Sequence, residues 1–289
     1  VTERGKPKMN IDFDLRKLWR PSFFAVFFLW TTAAALSQTP SSPAKDEPDF
    51  IVPARPTFSN PAEFQRPGVL QLEYGYNANF RAPGVRAEQD TPLALRFAAS
   101  KRILLEMDID GVITQTDEDR KRATGFGDCQ LGIQVVLMPE NDRAPGIALA
   151  YYIKAPTASS AKGLGSGRVD HTWIALISKT IGRTTLDFNA IYLLAGRVSR
   201  QGYASSGQAA FAVSQGLTKR VGVQGEISGF SRNDLQPGAM VVLAVATYQV
   251  NNRLVFDGGV RFGLTSNAPA TGIVAGLTIG ISDLYKKKH

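Results

Sequence analysis

The sequence predicts an all-β protein, an antiparallel transmembrane up-and-down β-barrel of about 12 strands. Three observations carry that expectation. Apolar and polar residues alternate with period two through stretches of about 10 residues, longer than an ordinary soluble strand of about 5–6 and long enough to cross a bilayer. The connections between these stretches alternate between tight turns and long polar loops. No segment holds a 3.6-residue period, and no apolar run reaches the roughly 18 residues that a membrane-spanning helix needs.

Taken in order, residues 9–37 read as a secretory signal in a stretch (1–37) that precedes the body of the chain. Arg16, Lys17 and Arg20 form a cationic start, Phe23 opens an apolar run, and Ala35-Leu36-Ser37 puts small residues before a cut at Gln38. Residues 38–67 are rich in proline, serine and charge, with Pro40, Pro43, Pro48, Pro53, Pro56, Pro61 and Pro67. Such a composition cannot build a core by itself and favours extended conformations, so it reads as a mobile periplasmic arm. The barrel occupies 68–285, and 286–289 form a basic tail.

Within 68–285 the expected strands are 69–80, 92–99, 103–114, 127–138, 146–155, 171–181, 184–195, 208–217, 221–231, 239–250, 254–265 and 272–284. In 254–265, Leu254, Phe256, Val260 and Phe262 share one face while Asp257 and Arg261 share the other. In 103–114, Ile103, Leu105, Met107, Ile109 and Ile113 oppose Glu106, Asp108 and Asp110. The odd connections are long or polar (81–91, 115–126, 156–170, 196–207 and 232–238), and the even ones are mostly tight (100–102, 182–183, 218–220 and 251–253, with 139–145 longer). Short turns on one side and long loops on the other describe an outer-membrane barrel. An even strand count then puts the N-terminal arm and the C-terminus on the periplasmic side. Lipid penalises a register that turns Gln249 outward, so a three-residue turn at 251–253 is expected, pairing Leu254 with Val250 and Phe256 with Tyr248. The turn at 218–220 repeats this logic and pairs Val221 with Leu217.

An open sheet edge in hydrocarbon leaves backbone groups unpaired, so the sheet must close. Closure puts Glu73, Arg96, Glu106, Asp108, Asp110, Asp128, Lys154, Asp187, Glu226, Asp257 and Arg261 in the lumen, because a cation at mid-depth on the lipid face would cost ~2–4 kcal/mol. These residues either line a pore that selects solutes or pair with one another and plug a narrow barrel. Asp257 and Arg261 are about 13 Å apart along one strand, so each needs a partner elsewhere. Arg102, Arg183, Arg220 and Arg253 close tight turns, where an arginine keeps its stem in lipid and its head in water.

The net charge is +8, but much of the excess sits in the first 37 residues and in Lys286-Lys287-Lys288. The body mixes both signs without a basic, aromatic-studded patch, which argues against nucleic acid as a partner. One cysteine, Cys129, and two histidines, His171 and His289, give no disulfide framework and no metal-binding motif, and no cofactor is expected. The sequence carries no Gly-x-Ser-x-Gly motif, so the chain is not expected to be an enzyme, although His171 beside a serine would be the place for a hydrolase.

Arg55-Pro56-Thr57-Phe58-Ser59-Asn60-Pro61 followed by Pro67-Gly68-Val69-Leu70-Gln71-Leu72-Glu73-Tyr74-Gly75-Tyr76 resembles the opening of a family of bacterial outer-membrane β-barrel transporters, the proteins of the phenol-degradation meta-pathway. Gly125-Phe126-Gly127-Asp128, Tyr152-Ile153-Lys154-Ala155-Pro156-Thr157 and the run from Phe256 to Thr265 extend that resemblance over roughly Arg55 to Ile281. It implies a barrel without catalytic residues, and a link to aromatic compounds that rests on the family's name. Such barrels end on an aromatic residue read during assembly, whereas Tyr285 is followed here by Lys286-Lys287-Lys288-His289. The expectation is therefore an outer-membrane channel or transporter for small solutes, hydrophobic or aromatic ones among them. Outer-membrane lipid, the barrel-assembly machinery and a small-molecule solute are its expected partners. The alternative is a structural or surface-binding barrel with a packed lumen, whose loops 115–126 and 196–207 bind partners.

Overall fold

The computed structural model describes residues 50–198, 201–233 and 235–285; the signal, the first part of the arm and the basic tail lie outside the described residues. The strands are β1 (Val69–Ala82), β2 (Val85–Asp90), β3 (Leu93–Ala98), β4 (Ile103–Ile109), β5 (Val112–Asp117), β6 (Arg122–Phe126), β7 (Cys129–Met138), β8 (Gly146–Ala155), β9 (Asp170–Ile181), β10 (Thr184–Gly196), β11 (Tyr203–Gly216), β12 (Val221–Phe230), β13 (Ala239–Asn251), β14 (Leu254–Gly263) and β15 (Thr271–Asp283). All pair antiparallel in one sheet, and β1 pairs with β15 from Val69↔Asp283 to Phe80↔Thr271, which closes it. The result is a closed 12-strand barrel. Fifteen segments make twelve wall strands because three wall strands are broken in two.

Those breaks depart from the expected pattern in an informative way. The sequences 81–91 and 115–126 read as loops, yet they hold β2, the second half of β5 and β6. Their apolar residues are few and mostly small, so alternation gives little signal, and backbone pairing that starts from the upper half of β1 carries them as an extension of the wall. This extension stands on the long-loop side, above the level where β7 ends its pairing with β8 at Cys129↔Ala155. Asp110-Gly111 and Gly127-Asp128 interrupt the ladder like bulges and exchange the faces of the strand on either side. At Gly111 the backbone adopts φ +26, which favours glycine. Ile113, grouped by its alternation with the outward Ile103 and Leu105, consequently faces the same cavity as Glu88 and Asp90.

Elsewhere the alternation holds. Leu105, Trp173, Phe188, Phe211, Phe256 and Phe262 are exposed on the outer surface, while Glu73, Arg96, Glu106, Asn189 and Glu226 are buried. This inverts a water-soluble protein and suits a wall whose outer solvent is hydrocarbon. Tyr248 pairs with Phe256 as the register predicts, but Leu254 pairs with Asn251, because a bulge between Gln249 and Asn251 absorbs Val250. At the 218–220 turn, Leu217 N–H donates to Val221 O at 2.9 Å, the expected partner. Near the long-loop ends of β8 to β11, Tyr151, His171, Trp173, Tyr192 and Tyr203 form an aromatic group on the outer face. The seam is also held by Tyr285. Its hydroxyl donates to Ala99 O at 2.9 Å, and its ring stands edge-on to Phe97 at 6.1 Å.

Candidate functional site

The largest correction concerns the arm. Residues 50–67 are not a free segment ahead of the barrel: they lie inside it, in the half nearest the tight turns, and circle the inner wall before entering β1. Composition alone reads this stretch as a linker because it cannot build a core. It acquires one by packing into a wall that already exists. Phe50 and Ile51 pack on Val69 and Val255, Ala62 on Ala148, Ala150, Tyr152 and Leu176, and Phe64 on Ala98, Leu104 and Val136.

Hydrogen bonds follow the same circuit. On β1, Val52 N–H donates to Gln71 Oε1 (3.0 Å), and the N–H groups of Ala54 and Arg55 donate to the two oxygens of Glu73 (2.9 and 3.2 Å). The Arg55 guanidinium forks onto Asp257 of β14, Nε to Oδ2 at 3.1 Å and Nη2 to Oδ1 at 3.3 Å. On β12, Glu226 accepts from Phe58 N–H (3.0 Å), Ser59 N–H (2.7 Å) and Ser59 Oγ (2.9 Å). Asn60 and Asn189 of β10 exchange two bonds, at 2.7 and 2.9 Å. Ala62 N–H donates to Ser178 Oγ of β9 (2.8 Å), which itself donates to Asp187 Oδ1 at 2.5 Å. Gln134 Nε2 of β7 donates to the carbonyls of Pro61 and Ala62 (3.1 and 3.0 Å), and Gln65 Nε2 closes the loop on Arg96 O of β3 (2.9 Å). Polar groups stranded inside a barrel need partners, and here wall and arm supply most of them to each other, while Gln65 Oε1, Gln134 Oε1 and Arg96 Nη2 stay buried without one.

Arg96 is the hub of the wall itself. Its side chain, 1% exposed, pairs with Glu106 (3.1 Å) and Glu73 (3.4 Å) and donates to Val52 O (3.0 Å), while Tyr152 Oη donates to the second oxygen of Glu106 at 2.7 Å. Arg253, exposed at its turn, also lies over the Phe50 ring at 4.2 Å.

The half nearest the long loops differs. Lys154 bridges Asp128 (2.9 Å) and Asp170 (2.6 Å), Gln130 donates to Asp108 (2.8 Å), and Arg261 Nη1 donates to Asn79 Oδ1 (3.1 Å). Asp257 and Arg261 thus find separate partners, as their spacing requires. Above them is a cavity of about 260 Å³ lined by Glu88, Asp90, Asp110, Ile113, Gln115, Gly163 and Leu164. The loop carrying Gly163 and Leu164 is tied down by Ala158 N–H donating to Asp128 Oδ1 (2.9 Å) and by Lys162 Nζ donating to Thr124 O (3.0 Å). Asp110, in the break above β4, is pushed up to about 6 by burial and by neighbouring Asp90 and Asp128. Burial also raises Glu88 and Asp90 on the extension.

The expected lumen residues therefore divide into an arm-facing set, with Glu73, Arg96, Glu106, Asp187, Glu226 and Asp257, and a mouth set, with Asp108, Asp110, Asp128, Lys154 and Arg261. Sequence reasoning passed over Gln71, Gln134, Ser178 and Asn189, which grip the arm without charge. Each sits on its strand's inward parity, the one signal that could have found them. Among the described residues the hydrogen-bonding partners of the His171 ring are tyrosines: Tyr151 Oη stands 2.8 Å from Nδ1 and Tyr203 Oη 3.3 Å from Nε2.

The family model described as "Putative MetA-pathway of phenol degradation" matches residues 54–279, from the arm to the last strand. Among solved structures the chain is similar to an outer membrane channel from Pseudomonas putida F1, with 14% identity over 79% of this chain and 99% of that chain and a TM-score of 0.59. It is also similar to the NanC porin, with 7% identity over 74% and 99% of the two chains and a TM-score of 0.51. At these identities the likeness is one of fold. No curated protein matches the sequence.

Proposed function

The chain belongs to the family described as "Putative MetA-pathway of phenol degradation", and from that premise we propose that it is an outer-membrane channel for small solutes whose bore is narrowed by its own N-terminal arm. One observation carries the reading. The turn-side lumen is filled by the segment of chain ahead of β1 together with wall side chains such as Arg96, Leu104 and Leu176. Where the arm runs, the wall turns small residues inward, Gly75, Gly276, Gly280, Ala98, Ala148 and Ala150 among them. Wall side chains fill a barrel of about eight strands, and twelve strands leave a wider interior that the arm occupies.

In this reading the apolar belt sits in outer-membrane lipid and the tight turns and both chain ends face the periplasm. The last strand, β15, followed by Tyr285, is what the assembly machinery engages. Solutes enter through the mouth bounded by Glu88, Asp90 and Asp110, whose charge favours neutral and cationic molecules over anions. The family's name makes phenolic compounds the first solutes to test. Capture of both His171 ring nitrogens by tyrosine hydroxyls supports a non-enzymatic role. The buried Arg96 network favours the second reading, a structural barrel with a packed lumen. Planar-bilayer recordings separate the two. Deleting residues 50–65 should raise single-channel conductance on the order of tenfold if the arm is the constriction. A folded, arm-deleted barrel that conducts no better than the full chain overturns the proposal and favours the structural reading.

A further inference from the structure

A row of three residues on the inner wall is shaped for a flat, forked cation. Gly75 of β1 pairs with Gly276 of β15, which pairs in turn with Asp257 of β14. The Arg55 guanidinium lies across both glycines. A Cβ added to Gly75 would collide with its nitrogens, and one added to Gly276 would collide with Nε and Nη2 and also with the backbone oxygen of Tyr74. The wall thus leaves out side chains where a planar group must lie flat on the backbone. At the end of this floor, Asp257 accepts the two-pronged bond, and Ala275 O accepts a third from Nη2 at 3.0 Å. The pair is shielded, with Arg55 10% and Asp257 3% exposed.

Two further points separate this place from the rest of the lumen. Arg96 is a wall residue paired with wall carboxylates, whereas the cation on Asp257 is supplied by the arm. Arg261, four residues along the same strand as Asp257, bonds Asn79 instead. The carboxylate and its floor therefore belong to the barrel, and their partner belongs to a segment joined to it at one end.

We infer that the Gly75–Gly276–Asp257 row is a guanidinium-binding site on the channel wall, that Arg55 is its resident ligand and latches the arm in the bore, and that small guanidinium-bearing cations compete for it. This rests on the reading of the arm as a separable filling. The chemistry selects guanidinium over ammonium. A planar fork presents parallel N–H donors to a carboxylate and stacks on a flat surface, while an ammonium is a compact point charge that uses neither feature.

The test uses the full, membrane-inserted chain and reads hydrogen exchange of the Phe58, Ser59 and Asn60 amides, with β10 amides as the control for an intact wall. Arg55→Ala should speed arm exchange on the order of tenfold or more while β10 stays slow. Methylguanidinium added to the native chain should compete with Arg55 and speed exchange of the same amides several-fold with β10 unchanged, and sodium chloride at equal ionic strength should not. Asp257→Asn should speed arm exchange as Arg55→Ala does, and methylguanidinium should have no further effect in either variant. Arg55→Lys, which keeps the charge, should lose protection several-fold. The inference is overturned if Arg55→Ala leaves the arm as protected as in the native chain, if methylguanidinium leaves the native arm unchanged or sodium speeds its exchange equally, if methylguanidinium still acts in Asp257→Asn, or if Arg55→Lys is fully protected. Conductance does not enter this readout, so displacement seen in a barrel that never conducts would uphold the site while the channel reading fell.

Discussion

In the turn-side half of the lumen, Glu73, Glu226 and Asp257 each accept hydrogen bonds from the arm, and Glu106 accepts from Arg96 and Tyr152. In the loop-side half, Glu88, Asp90 and Asp110 surround a cavity, and burial raises the pKa of all three, with Asp90 adding to the rise at Glu88 and Asp110. Both halves arise from the same alternation, apolar outward and polar inward. What separates them is the supply of donors. Where a tethered segment brings backbone N–H groups and an arginine, carboxylates become anchors. Where none arrives, they remain a charged mouth. The same residue type is structural in one half and set up for selectivity in the other.

Substitutions can break or sharpen that contrast. The largest effect is expected at Arg96→Ala, which leaves Glu73 and Glu106 buried without their cation. About 3–5 kcal/mol of barrel stability should be lost in urea unfolding of the lipid-embedded protein. Next comes Glu226→Ala, which removes the acceptor for Phe58, Ser59 and the Ser59 hydroxyl. Arm stability should fall by about 1.5–3 kcal/mol, seen as faster exchange at those amides with the wall unaffected. If instead the whole barrel loosened, arm and wall would be one inseparable core and the comparison would fail.

The smallest effect belongs to the mouth. Asp110, with its pKa near 6, is charged at about pH 7.5 and neutral at about pH 5. Lowering the pH across that window removes negative charge. One charge acting at about 7 Å through water is worth ~0.6 kcal/mol, so cation-over-anion selectivity should drop roughly threefold in reversal-potential measurements. Asp110→Asn should show the low selectivity at both pH values without altering urea unfolding. A stability change there would mean that the loop-side acids are structural as well.

Much of the wall was legible because lipid enforces alternation over long stretches. The inward parity of Glu73, Glu106 and Asp257 and the Tyr248–Phe256 pair follow directly from it. The bulges at Gly111 and near Val250 were not legible, since a one-residue slip leaves no mark in composition and only the ladder shows it. The arm was the least legible. Its partners are spread over β1, β3, β7, β9, β10, β12 and β14, and Arg55 meets Asp257 across 202 positions of sequence. A proline-rich, polar segment carries no periodicity to betray that its donors are spoken for. The glycines opposite it, Gly75, Gly276 and Gly280, are a local trace, and they read as plain strand glycines until the arm is seen lying on them.

The most direct measurement is a cross-link between arm and wall in the membrane. Asn60 and Asn189 exchange two hydrogen bonds in the lumen. Asn60→Cys combined with Asn189→Cys, in a Cys129→Ser background, places two thiols there. With residues 50–67 inside the bore, a short thiol cross-linker should join them in the folded barrel while single-channel conductance stays at the low level of the full chain. Thiols that remain unlinked in a demonstrably folded barrel would place the arm elsewhere and contradict the account.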